Sequence, residues 1–360
     1  MNKYILIILL SLFAISCSQN TSNKYEIAEN EYLNVPSHFP APNFPQSNPY
    51  TKEKAELGRY LFYEPLLVKD TSFPSCSHCM YQDAAFSNNV QLARGYKNFA
   101  EPRNNMTLVN SAYRDIYFWD GRGKSIEATA YRSMTLQYIF ASDTNEIVKR
   151  LENSLIYPKL FQKAYGANTK ISAYLISQAL ATFVRTLISG NSKYDKYING
   201  DINAMNEEEI AGMKLFNSEK TRCSVCHSGI FFSDMKPHNT GVVTHYFDKG
   251  HFWVTGKREH RGTFITPTLR NIAQTAPYMH LGDLKTLDEV LHHYNNGGSN
   301  YQMKDTLIRP LHLTNKEIKS LKAFLLSLTD EEFLNNKKFS NPHKQDYFSD
   351  KIKNNRINRK

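Results

Sequence analysis

The chain has 360 residues, five cysteines and 44 Lys/Arg against 34 Asp/Glu, a formal charge of +10. That length suits about two domains with cores of their own better than one compact domain. Past the first residues no stretch is long and apolar enough to span a bilayer, and an export signal at the start of the sequence speaks against nucleic acid as the partner of the positive charge.

The opening segment "MNKYILIILLSLFAISCSQN" sets a lysine before an apolar run and a small residue before Cys17, the layout of a secretory signal over 1–17. "FAISC" is similar to the bacterial lipoprotein signal, which predicts a periplasmic protein held to a membrane through lipid on Cys17. Residues 18–50 include "NVPSHFPAPNFPQSNPYT", an extended proline-bearing arm expected to wrap over the first domain. "AELGRYLFYEP" then precedes Cys76 and Cys79, and "IAGMKLFNSEK" precedes Cys223 and Cys226. Each is a short helix ending in Leu-Phe before a Cys-x-x-Cys, so two similar helical modules are expected. Between them "ISAYLISQALATFVRTLIS" sets Leu175/Ile176, Ala179/Leu180, Phe183/Val184 and Leu187/Ile188 at four-residue steps, a buried helical stripe. "SGNSKYDKYINGD" breaks that helix and marks the boundary, giving modules over 51–195 and 196–332. In the second, Leu287, Val290, Leu291 and Tyr294 share a helix face ended by Gly297 and Gly298. Thr314 and Glu317 stand at capping-box spacing ahead of a stripe of Ile318, Leu321, Phe324, Leu325 and Leu328. The segment 333–360 is polar and basic, and reads either as a solvated terminus or as a patch for an acidic protein partner or lipid headgroups.

With Cys17 in the signal, the other four cysteines form two Cys-x-x-Cys pairs and none is left for disulfides between elements. In an oxidising compartment each pair is bridged, metal-bound or attached to a cofactor. "CSVCH" holds a complete haem-attachment pattern: Cys223 and Cys226 lie one helical turn apart for two thioether bonds, and His227 follows as an axial imidazole. Zinc shared by the two pairs is a poor match, because 143 residues separate them. A redox dithiol lacks its βαβ setting.

The strings "LGRYLFYEP", "CSHCMYQDAAFS", "RNNMTLVN", "YFWDGR", "ALATFVRTLISGNSKYDKY", "CSVCHSGIFFSD", "HNTGV" and "TPTLRNIAQTAPYMHLGDLKTLDEVLHHYNNGG" resemble, in order and spacing over roughly residues 50 to 330, the bacterial di-haem cytochrome c peroxidases and the related methylamine-utilisation (MauG-type) proteins. The resemblance implies a mainly α fold of two cytochrome c-like domains packed around a haem interface. It also implies a c-type haem oxidoreductase that reduces hydrogen peroxide with electrons from a small donor protein of cytochrome c or cupredoxin type, and a homodimer. His227 matches the proximal ligand of the electron-accepting haem, and Tyr294 its distal ligand, with Met279 as the alternative; as a bare sequence feature Tyr294 reads equally as a core tyrosine. His280, His292 and His293 read as surface or supporting histidines. Trp119 matches the tryptophan between the two haems, or is a core aromatic. Asn104, Thr275 and Pro277 match positions that bind a calcium ion.

The first copy departs from the family pattern. "CSHCM" puts Met80 where the proximal histidine belongs, so Cys76 and Cys79 hold either a second haem with Met80 beneath it or a local disulfide. His78, between the cysteines, is poorly placed to substitute. The family's acid-base positions fall on Thr129 and Ile139, neither of which shuttles a proton, and Glu127 is turned away from Thr129 on a helix. Two further expectations follow: a mono-haem electron carrier that has lost the peroxide site, and oxidation of a protein or small-molecule substrate.

Overall fold

The computed structural model describes residues 33–69, 75–137 and 139–343. The signal with Cys17, the start of the arm and residues 344–360 lie outside the described residues. The fold is mainly helical: α1 Lys52–Phe62, α2 Ile126–Thr135, α3 Thr144–Glu152, α4 Tyr157–Tyr165 and α5 Ala173–Arg185 in the first half, then α6 Lys193–Ile198, α7 Glu207–Phe216, α8 Cys223–Cys226, α9 Phe252–Thr255, α10 Leu287–Asn295, α11 Asn315–Leu326 and α12 Glu331–Asn335. Two short strands, β1 Pro237–His238 and β2 Phe264–Ile265, pair antiparallel with His238 opposite Phe264. None of the described helices is long and apolar enough to cross a membrane.

The internal repeat is one packing motif used twice. Thr51 caps α1 by accepting from Lys54 N–H, and α1 crosses α5 at Gly58, where a Cβ would overlap the Ala179 carbonyl. In the second half the capping boxes Asn206/Glu209 and Thr314/Glu317 start α7 and α11. That pair crosses at Gly212, where a Cβ would overlap the Ser320 carbonyl. Gly58-x-x-Leu61-Phe62 and Gly212-x-x-Leu215-Phe216 therefore carry the same instruction: two backbones in contact, then an apolar anchor. Around each crossing lies an apolar core, one built on Leu57, Leu61, Phe86, Phe161 and Phe183, the other on Phe216, Phe232, Leu287, Leu291 and Phe324.

Four expectations need correction. Helix α5 stops at Arg185, because the Thr186 hydroxyl turns back to the Phe183 carbonyl and Asn110 N–H takes the Leu187 carbonyl; Leu187 and Ile188 are buried beyond the helix. The presumed breaker at 190–201 contains helix α6, begun by a Ser192/Asp195 capping box. The arm covers the joint between the halves, since Leu33 and Phe39 pack with Ile188 and against Tyr113, Ile230 and Phe231. The segment after 332 is no frayed terminus as far as 343. Phe333, Leu334 and Phe339 enter the first core, Tyr63 Oη donates to the Phe339 carbonyl at 2.7 Å, and Arg59 Nε to that of Ser340 at 2.7 Å.

Asp195 is the polar pin of the joint. It accepts from both Arg270 Nη atoms at 2.8 and 2.9 Å, bonds His38 Nε2 at 3.0 Å, and accepts from the Ser192 hydroxyl at 2.6 Å. Burial works to raise its carboxyl pKa, but the Arg270 and Ser192 contacts outweigh burial and hold it below the usual range. With the folded pKa depressed, the pair's stability is fully present above the unfolded value of about 3.9 and is lost as pH falls through the folded value. Asp195→Asn leaves the buried Arg270 guanidinium without its anion, so a loss of about 3–5 kcal/mol in urea unfolding at neutral pH is expected; a loss within about 0.5 kcal/mol contradicts this.

Candidate cofactor site

The second Cys-x-x-Cys is presented by a turn that the chain forces right after α7. Thr221 Oγ1 donates to the Leu215 carbonyl, Arg222 takes left-handed backbone at φ 53°, and Cys223–Cys226 form a single helical turn. His227 follows as its cap, with Nδ1 3.0 Å from the Phe232 carbonyl. That bond sets the tautomer, with the proton on Nδ1 and Nε2 left as the basic nitrogen. Burial, partly offset by the Phe232 carbonyl and Asp234, lowers the His227 pKa and keeps the ring neutral, as a metal ligand requires.

Cys223, Cys226 and His227 border a mostly apolar cavity, whose walls also include Trp119, Phe264, Met279, His280, Leu291 and Tyr294. Two side chains on its wall have polar atoms with no protein partner. Tyr294, brought in by α10, forms no side-chain hydrogen bond among the described residues, and burial, then the nearby Cys223 and Cys226, push its phenol well up. His280 is 3% exposed, yet its Nε2 is unpartnered; its ring stacks on Phe264 at 3.7 Å, and burial pushes its pKa down to about 4. A buried unpaired donor costs roughly 1–3 kcal/mol, so this wall is made for a bound polar group. The cysteine pair one turn apart, the oriented imidazole, the apolar volume and the unpaired atoms fit a covalently attached c-type haem.

The structure brings Tyr294 and Met279 to the same cavity, so both predicted distal ligands stay in play; Met279 is held in left-handed backbone at φ 71°. If Tyr294 is the ligand, Tyr294→Phe converts the low-spin spectrum of the haem-loaded protein to a high-spin one. An unchanged spectrum assigns the position to Met279.

His280 and His238 are missed by sequence reasoning. The first reads as a supporting histidine, and its burial depends on Phe264 of β2 and on Tyr246. His238 sits between two carboxylates, Nε2 2.9 Å from Asp234 and Nδ1 2.6 Å from Asp305. Contact with Cys226 first, against burial, and then Asp305 and Asp234 push its pKa up to about 10; a thioether at Cys226 removes the first contribution. Of the two carboxylates only Asp234, four residues away, is near in sequence. Cys226, Asp234 and His238 also offer three donor atoms within 4.8 Å of one another, but Cys226 cannot serve a metal there and a thioether at once.

Trp119 stands at the seam of the halves. Its Nε1 donates to the Asn104 carbonyl at 2.8 Å, its carbonyl accepts from Ile265 N–H at 2.7 Å, and its ring meets that of His280 edge-on at 6.5 Å. Asn104, Thr275 and Pro277 border the same cavity, the Asn104 amide nitrogen being spent on the carbonyls of Val90 and Gln91 at 3.1 Å each.

The first motif is built differently. Cys76 and Met80 pack against the first core, and neither Cys76 nor Cys79 is in a disulfide. Burial pushes both thiols up to about 12, with Glu101 and Cys76 adding to the effect at Cys79. The Thr129 hydroxyl is tied to the Ser125 carbonyl at 2.9 Å, Ile139 lies against the apolar core, and Glu127 is held by Arg185 at 2.6 and 3.0 Å. The carboxyl poised near this motif is instead Glu101, which burial raises to about 7 against the pull of Arg122. No pattern in the sequence singles it out. Without an imidazole after Cys79, the fit of this motif to a haem is incomplete.

Residues 52–203 match the model of the di-haem cytochrome c peroxidases, and residues 209–329 that of cytochrome c. The methylamine utilization protein MauG of Methylorubrum extorquens is 32% identical over 320 residues, covering 88% of this chain and 90% of that protein. The cytochrome-c peroxidase IdrP1 of a Pseudomonas species is 33% identical over 322 residues, 80% of this chain and 84% of its own. Among solved structures, a MauG-like protein associated with microbial copper homeostasis superposes with a TM-score of 0.82 at 31% identity, covering 86% of this chain and 98% of that one.

Proposed function

The chain belongs to the oxidoreductase family of di-haem cytochrome c peroxidases and MauG-type proteins, and from that membership we propose that it is an exported c-type haem oxidoreductase, tethered at Cys17, that reduces hydrogen peroxide with electrons from a small donor protein. The observation that carries this reading is His227, its Nδ1 held by the Phe232 carbonyl, on the wall of the cavity that Cys223 and Cys226 border. Haem c bound there supplies a one-electron iron couple. The residues of the chain supply the rest. Cys223 and Cys226 would tether the group, the Phe232 carbonyl keeps Nε2 of His227 basic, and Tyr294 or Met279 would offer the second ligand. His238, held between Asp234 and Asp305, sits beside the attachment point. Trp119 joins that wall to the Asn104 loop of the first half and is the bridging aromatic in this reading. A calcium ion on Asn104 Oδ1 and the carbonyls of Thr275 and Pro277 would brace the same seam.

A second reading, a mono-haem electron carrier, is favoured by Met80 and by the tied or apolar side chains at Thr129 and Ile139. The two separate on haem count and turnover. Mass spectrometry of protein matured in a host that attaches haem c shows two additions for the enzyme and one for the carrier. Two haems without peroxide consumption by a reduced cytochrome overturn the peroxidase reading, and turnover then has to be sought on an organic or protein substrate, as in the MauG-type branch.

A further inference from the structure

We propose that the lobe 245–262 is a docking surface for an acidic electron-exchanging protein, an assignment that rests on reading the cavity as a haem c site. The lobe exposes apolar surface that folding does not need: Phe247 is 95%, Trp253 61% and Val254 37% exposed. Cations surround it. Lys249 Nζ lies 4.5 Å from the Trp253 ring centroid and 5.4 Å from that of Phe252, and Lys257, Arg258 and Arg261 are exposed against a single exposed acid, Glu259. Large exposed apolar side chains rimmed by charge mark interaction sites, with Trp, Phe and Arg over-represented in their centres.

The lobe is a built feature. At its neck His251 N–H donates to the Thr263 carbonyl at 2.9 Å and Gly262 N–H to that of Lys249 at 3.0 Å; Gly250 has no Cβ because Thr263 backbone occupies that space. Asp248 accepts from Arg103 Nε and Nη2 at 2.6 and 2.8 Å, and His251 Nδ1 bonds the Asp120 carbonyl at 2.7 Å. Directly after the neck, Phe264 and Ile265 turn into the cavity wall, and Ile265 N–H binds the Trp119 carbonyl. A protein seated on Phe247 and Trp253 thus touches a lobe that continues directly into elements lining the cofactor cavity. Electron-exchange complexes are small, short-lived and steered by complementary charge, which matches an aromatic tip with cations around it and an acidic partner. A membrane surface would engage the same residue types, but it has no use for the link to Trp119.

The test uses the haem-loaded full chain with two probes, an acidic and a basic mono-haem cytochrome c, in surface plasmon resonance and stopped-flow reduction. In Lys257→Glu/Arg258→Glu the association rate of the acidic probe is expected to fall about tenfold at low salt, and in Trp253→Ala severalfold. The wild-type rate should drop as salt rises, whereas the basic probe, repelled by the same cations, shows neither the fall with salt nor the loss in the charge-reversal variant. Unchanged association in both variants, or no binding of the acidic probe, overturns the proposal. So does sedimentation with vesicles of equal parts phosphatidylcholine and phosphatidylglycerol that Trp253→Ala weakens while leaving probe binding alone. Trp253-dependent binding by a chain without haem would sink the cofactor reading and keep the surface; intact haem with binding that ignores the lobe would sink the surface alone.

Discussion

With Cys223 and Cys226 both replaced by serine, protein matured in a host that attaches haem c is expected to lose the covalent haem of its second module entirely, and with it electron uptake from a reduced cytochrome. Serine is close in size to cysteine and both positions sit on a one-turn helix at the cavity edge, so the fold persists and the loss is chemical: a hydroxyl forms no thioether. The pyridine haemochrome count per polypeptide falls by one equivalent, and the haem-stained band on a denaturing gel weakens or vanishes. An unchanged count places the attached haem elsewhere and overturns the site. The complementary variant, Met80→His, completes the first motif and raises the occupancy of Cys76 and Cys79 wherever the wild-type chain leaves them unfilled.

Alanine at Gly58 or Gly212 is expected to cost at least about 3 kcal/mol each, read as a drop in the urea midpoint. Overpacking usually costs about 1–3 kcal/mol because neighbouring side chains yield. Here the obstacle is backbone: the new methyl meets the Ala179 or Ser320 carbonyl, which moves only if whole helices part. Separation would also unseat Phe183 and Phe324, both fully buried in the two cores. Gly256→Ala is the control. Nothing stands within 4 Å of its Cβ position, and its φ of +68° costs only about 1–2 kcal/mol for an L-residue. Equal losses at all three glycines would mean that the crossings are looser than described.

The two predictions rest on parts of the molecule that differ in how visible they are from sequence. The Leu-Phe repeat shows in the residues themselves, but the reason for glycine three positions earlier is the approach of a helix more than a hundred residues away. Likewise the capping box at Thr314 is local chemistry and forms as written. The end of α5 is not set locally, because it depends on Asn110 taking the Leu187 carbonyl from another segment, and the polar composition after 332 hides three apolar anchors that dock on the first core.

The sequence by itself determined the family and the mainly helical fold, as well as the half of the site that is contiguous. Two thiols and an imidazole within five residues are a covalent geometry that survives any tertiary context. Tertiary structure decided what depends on convergence: that Tyr294 and Met279 line one cavity with His227, that His280 is buried with an unpaired nitrogen, that His238 is held between Asp234 and Asp305, and that a basic aromatic lobe is rooted beside Trp119. Burial and electrostatic pairing are sums over neighbours distant in the chain, and residue types in order do not contain those sums.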